Sequence, residues 1–155
     1  VTELREILVS AIDEITQFGL QPNLNVPNKE LVLEKHLVTI YKLHFEVEYE
    51  DDHHNYPKFD KTKLPDILGN IKNNFPSFGF YKSVLDINNM TNFTDIGLED
   101  AIDDLNDIIL ELLEVKWRIE NNSLNDGLYF FKFIFKAHIN QHLLNLLNFM
   151  KQQED

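Results

Sequence analysis

Cysteine is absent from the 155 residues, so disulfides, thiolate metal sites and a cysteine nucleophile are excluded. No uninterrupted apolar run reaches the roughly 18 to 20 residues that a membrane span needs. The opening Val1-Thr2-Glu3-Leu4-Arg5-Glu6 is unlike a signal peptide, and a soluble cytoplasmic protein with no membrane partner is expected. Glycine is scarce: five residues, scattered singly, form neither a phosphate-binding loop nor a Gly-x-Ser-x-Gly elbow. Basic residues are few, 14 against 26 acids, and the net charge of −12 repels a nucleic-acid backbone. A nucleic-acid partner is not expected, whereas a basic protein or a metal cation is compatible with this charge.

What the chain does contain is apolar and aromatic residues, 43% hydrophobic with 12 Phe, 5 Tyr and 1 Trp. That is enough to drive folding of one core at this length, so residues 1–155 are expected to form a single domain. Helical spacing dominates. Leu4, Ile7, Leu8, Ala11, Ile12, Ile15 and Phe18 make one stripe that Gly19 ends. A turn-rich stretch, Gln21 to Asn28, leads to a second helix from Lys29 to about Phe45, with Asn28 as its expected cap. Its apolar residues run around most of the circumference, which predicts a central helix packed on several sides. Residues 46–57 read as a charged surface loop, and Phe45 to Tyr49 is the one short strand-like alternation.

A third helix is expected from about Lys63 to Asn73, started by Thr62 and Pro65. The aromatic stretch Phe75 to Tyr81 follows as a loop pinned onto the bundle by its rings. The fourth helix, beginning near Gly97, carries Ala101, Ile102, Leu105, Ile108, Ile109, Leu112, Leu113 and Ile119 on one face. Asn121-Asn122-Ser123 ends it, and the fifth runs from about Asn125 to Gln152 along Leu128, Phe131, Phe135, Leu146 and Phe149. The fold class is therefore all-α, a bundle of about five helices.

Three clusters could carry chemistry. His138 and His142 lie four apart on the fifth helix, within its apolar stripe, and are expected to face inward. A hydrogen-bonded core pair is the ordinary reading, and chelation of a divalent metal is the alternative. Ile139 stands where the zinc-protease signature needs Glu, so that chemistry is excluded. The fourth helix carries Asp100, Asp103, Asp104, Asp107, Glu111 and Glu114, expected on the side opposite its apolar stripe. They read either as a solvated face, with the first-turn acids favoured by the helix dipole, or as a docking face for a basic partner. Asp104, at the stripe's edge, is the acid best placed to join the two histidines as a metal ligand. Asp51, Asp52, His53 and His54 form a loop cluster that reads as a solvated charge run.

From Tyr81 onward the chain resembles a bacterial family, domain of unknown function 5063. The likeness is carried by Phe80-Tyr81-Lys82-Ser83-Val84-Leu85-Asp86, by Asp103-Asp104-Leu105-Asn106-Asp107-Ile108, and by the aromatic helix that ends in His138-Ile139-Asn140-Gln141-His142. Ile139-Asn140 stands where that family usually has Trp-Gly, and Ile109 where it has Tyr. The resemblance implies a helical fold and a bacterial source, and brings no assigned activity or catalytic residue. The expected function is a noncatalytic interaction module with an acidic binding face and no cofactor. The alternatives are a metal-binding helical protein using His138, His142 and a carboxylate, possibly a hydrolase or sensor, and an immunity-type inhibitor of a basic toxin.

Overall fold

The computed structural model describes residues 2–153. Its helices are α1 (Thr2–Leu20), α2 (Lys29–Glu46), α3 (Ile67–Asn74), α4 (Ala101–Asn121), α5 (Leu124–Ile134) and α6 (Asn140–Gln152). Helices α5 and α6 form one rod, joined through a π-turn at Phe135–Ile139. Five helical rods are thus packed into a single compact domain. A short antiparallel hairpin, β1 (Phe80–Val84) with β2 (Ile96–Asp100), adds to them and corrects the all-α expectation. No helix among the described residues is long and apolar enough to cross a membrane.

The core follows the periodicity of the chain. Helix α1 buries Leu8, Ala11, Ile12, Ile15 and Phe18. Helix α4, not α2, occupies the centre: it packs on α1, α3, α5 and α6. Helix α2 buries Leu33, Leu37, Ile40 and Leu43 but leaves Leu31, Val38 and Phe45 exposed, so its apolar residues outnumber its neighbours. Asn28 precedes α2 in the left-handed region (φ 53°) and makes no side-chain cap, contrary to expectation. Phe45 to Tyr49 forms no strand, because α2 continues to Glu46 and Val47 closes it by donating to the Leu43 carbonyl. Helix α3 begins later than its spacing suggests, at Ile67, where the Asp66 side chain accepts from the Gly69 amide.

The hairpin explains why α4 starts at Ala101 and not near Gly97. Residues 96–100 are held extended by pairing, Phe80 with Asp100 through Val84 with Ile96, and Asp100 then caps the helix by accepting from the Ile102 amide at 3.0 Å. Its polarity is inverted relative to an ordinary half-buried sheet. Phe80, Val84, Ile96 and Leu98 point outward, while Tyr81 turns inward onto Phe149. Before the hairpin, the aromatic connection is pinned as expected: Phe75 and Phe78 are buried and stacked 4.6 Å apart, with Phe18 edge-on to Phe75.

Buried Asn74 fixes the junction of α1 and α3. Its amide reaches the Phe18 carbonyl at 2.9 Å and the Gln21 carbonyl at 2.7 Å, and its Oδ1 accepts from the Leu24 amide at 2.9 Å. Within the loop after α2, Asp52 accepts from the hydroxyls of Tyr56 and Ser123. These bonds, Ser123 first, hold its carboxyl below the usual range. Asp52 therefore anchors the loop to the start of α5, and the cluster around it is more than a solvated charge run.

Candidate functional site in the seam between α4 and the α5–α6 rod

The π-turn falls within the longest-stepped part of the rod's apolar stripe. Its buried residues Leu128, Phe131, Phe135, Ile139, Leu143, Leu146 and Met150 include three consecutive steps of four, from 131 to 143. Four residues of α-helix turn about 400°, so each such step overshoots by about 40° and the three together spread residues 131 to 143 over about 120° of the helix surface, between steps of three that turn back. The wider π geometry, with the Asn140 amide donating to the Phe135 carbonyl, absorbs the extra residue and keeps both halves on the core. Ile139 and Leu143 thereby take the inward positions. His138, inside the turn, and His142 are moved to the flank, with side chains 39% and 25% exposed, so they do not face fully inward.

On that flank the histidines meet α4. Asp104, Asp107 and Glu111 lie at i, i+3 and i+7, one stripe of that helix. Asp104 is 2% exposed, and it receives the His142 Nδ1 proton at 2.7 Å on Oδ1 and the Tyr81 hydroxyl on Oδ2. An ionised carboxylate only accepts, so this contact sets the His142 tautomer and leaves Nε2 free to ligate when the ring is neutral. His142 Nε2 stands 3.3 Å from Asp107 Oδ2 and 3.2 Å from His138 Nε2. His138 Nε2 is 4.0 Å from the same Asp107 oxygen, and its Nδ1 is 3.5 Å from Glu111 Oε1. Asp107, His138 and His142 offer three ligand atoms all within 4.8 Å of one another.

The electrostatics point the same way. The bond to Asp104, then the charges of Asp104, Asp107 and Glu99, raise the His142 pKa above its ordinary value despite partial burial. Burial first, and the Asp104 bond second, push the Tyr81 hydroxyl well above its usual range, so it remains a donor. When His142 is neutral, its Nε2 lone pair faces a carboxylate oxygen and a second imidazole nitrogen. A proton can relieve that crowding, and so can a divalent cation.

The remaining acids of α4 are not a continuous solvated face. Asp100 caps the helix, Glu114 pairs with Arg118 at 2.8 Å, and Glu111 faces His138. Asp103 is the exposed one, its carboxyl raised by lost hydration and by the nearby Asp100 and Asp107. Asp104 lies behind His142, with both oxygens engaged. Sequence reasoning had missed Tyr81 as the partner of Asp104 and had set Asp107 among docking residues. The i, i+3, i+7 spacing of the three acids opposite a His pair was the available signal. Comparison of the chain with family models, with curated proteins and with solved structures returns no match.

Proposed function

We propose that this is a metal-binding helical protein whose site takes a first-row divalent transition metal, zinc in type, through His138 Nε2, His142 Nε2 and an Asp107 oxygen. The observation that carries the reading is the convergence of those three atoms at 3.2, 3.3 and 4.0 Å. Ligands at zinc distances of 2.0–2.2 Å and tetrahedral angles stand about 3.3 Å apart, so small side-chain rotations complete the shell. Each imidazole has a carboxylate behind its other nitrogen, Asp104 for His142 and Glu111 for His138, the arrangement that orients metal-bound histidines and raises their basicity. Two imidazoles and one carboxylate favour zinc, cobalt or nickel over magnesium or calcium, which prefer oxygen alone. Three protein ligands leave a position open in a four-coordinate shell, where an exogenous ligand can bind.

The resemblance to domain of unknown function 5063 belongs to the same reading, since its quoted segments supply Tyr81, Asp104, Asp107, His138 and His142. With that resemblance and the lack of cysteine, we place the protein in the bacterial cytoplasm. Titration calorimetry of the chelator-treated protein with Zn²⁺, Co²⁺ and Ni²⁺ tests the site. The expected result is one equivalent bound at micromolar or tighter affinity, lost in His138→Ala/His142→Ala, with cobalt giving the intense visible bands of a low-symmetry site. Failure of all three ions to bind the wild-type chain at stoichiometry would overturn the reading.

A further inference from the structure

The hairpin turns its polar side toward the bundle. Its register sets Tyr81 against Glu99 and Ser83 against Gly97, and these four are half-buried while Lys82 and Leu98 between them are exposed. Leu85, two residues beyond Ser83, stays on the same side. A Cβ on Gly97 would stand 2.8 Å from Leu85 Cδ2, 2.9 Å from Ser83 Oγ and 3.3 Å from Glu99 Oε1, so the missing side chain lets these three converge. Gln141 and Asn145, from the first turns of α6, make the opposite wall, with their side chains joined at 2.8 Å. Between the walls lies a cleft of about 540 Å³, which Asp86 and Ile87 of the strand connection also line.

We infer that this cleft binds a small organic cation, an alkylguanidinium or alkylammonium group held by Glu99 and Asp86 with its carbon stem along Leu85 and Ile87. The volume lies within the roughly 300–1,000 Å³ of small-molecule sites, and apolar walls with a few placed polar groups are their usual lining. The charge of this lining is one-sided. Glu99 Oε1 has the Ser83 hydroxyl at 3.4 Å, and Asp86 accepts the Asn88 amide at 2.9 Å. The ion pairs that lysine and arginine form among the described residues lie elsewhere, at Asp13, Glu46, Glu114, Glu120 and Asp126. Neither cleft carboxylate is neutralised by the chain. No lysine or arginine lines the space, which leaves an anion nothing to pair with. A neutral guest would strip water from the carboxylates without pairing them, whereas a guanidinium or ammonium makes charge-assisted hydrogen bonds to them. A bare metal ion is far too small for this volume. Among the described residues the group tight enough for one is Asp107, His138 and His142, outside this lining.

Chemical-shift titration of the isotope-labelled full chain tests this, with chelator present so that the outcome is independent of the metal reading. The probes are butylguanidinium and its neutral counterpart butylurea. Butylguanidinium should give saturable shifts confined to residues 83–88, 97–99 and 141–145, and butylurea should bind at least about 10-fold more weakly. Glu99→Gln should weaken butylguanidinium by about 10-fold or more with the helical circular dichroism unchanged, whereas Glu3→Gln, on α1, should not. An end-capped Gly-Arg-Gly peptide separates the two sources of the cation. Tighter binding than butylguanidinium assigns the cleft to an arginine side chain of another protein, and weaker binding to a free small molecule. Equal affinity for butylguanidinium and butylurea, shifts scattered over the acidic surface, or an affinity unchanged by Glu99→Gln overturns the inference. So does the absence of a saturable shift up to about 10 mM butylguanidinium.

Discussion

Replacing Asp104 by alanine removes the acceptor shared by two side chains. The carboxylate is 2% exposed and takes the Tyr81 hydroxyl on one oxygen and the His142 Nδ1 proton on the other. Each donor left without a partner costs about 1–3 kcal/mol, and breaking a buried charged pair about 3–5 kcal/mol, so we expect a loss of about 3 kcal/mol. For a domain of this size that corresponds to a fall in Tm of roughly 6–12 °C. The pH dependence has a fixed sign. The folded pKa of His142 lies above its unfolded value, so its bond to Asp104 contributes fully below about pH 6.5 and is lost as the pH rises through the raised folded value. Melting curves in chelator at pH 6 and pH 8 should show the cost of Asp104→Ala shrinking at the higher pH. Asp104→Asn keeps the shape and one acceptor oxygen but puts a donor NH2 in place of the other and removes the charge, so it should be milder than alanine and should flatten the pH dependence. A Tm within about 2 °C of wild type at both pH values, or a cost that grows at pH 8, would refute the reasoning.

The metal site should show the opposite trend: affinity for Zn²⁺ rises from pH 6 to pH 8 as the proton leaves His142, which calorimetry at the two pH values reads directly. Glu111→Gln should weaken zinc binding by about 10-fold without preventing it, because Glu111 stands behind His138 and outside the ligand triangle. Asn74→Ala should lower stability by about 2–3 kcal/mol in urea unfolding, since it strips the buried junction of α1 and α3 of its bonds. Gly127→Ala should destabilise even though alanine is favoured by about 1 kcal/mol inside a helix. Its Cβ would stand 2.2 Å from Ile119 Cγ1 and 2.9 Å from the Ile119 backbone nitrogen, where α5 crosses close to α4. Overpacking of that kind costs about 1–3 kcal/mol, and here the backbone cannot yield as a flexible side chain would.

Much of the fold was legible because burial sets the apolar spacing. The α1 stripe from Leu8 to Phe18 and the α4 stripe from Ala101 to Ile119 fall on the core as their three-four periods predict. Composition misled at α2, where Leu31, Val38 and Phe45 were read as buried because they are apolar, although only one side of that helix has neighbours to offer. The hairpin was hidden for a related reason. Its strands do alternate, but with apolar residues outward and Tyr81 inward, so the pattern lacks the polar exterior by which a half-buried strand is recognised. In the candidate site, the His pair and Asp104 were visible from spacing alone. Asp107 reads as one more acid of a docking face, because a stripe of acids looks solvated until the partner helix is placed against it and its oxygen is found 3.3 Å from His142 Nε2. Tyr81 was out of reach, since nothing local marks a tyrosine 23 residues away as the partner of a buried carboxylate.

The extra residue in the α5–α6 rod has a genetic meaning. Take one residue out of positions 136–138 and the buried stripe becomes an unbroken alternation of threes and fours from Leu128 to Met150, the ordinary pattern of a packed helix. The π-turn is thus equivalent to the insertion of a single codon into a regular helix, reversible by one in-frame deletion that leaves every core residue in register. The turn contains one side chain with metal chemistry, His138. The length of this helix among related chains is therefore a natural experiment: lineages that close the turn report whether the site it carries is still in use.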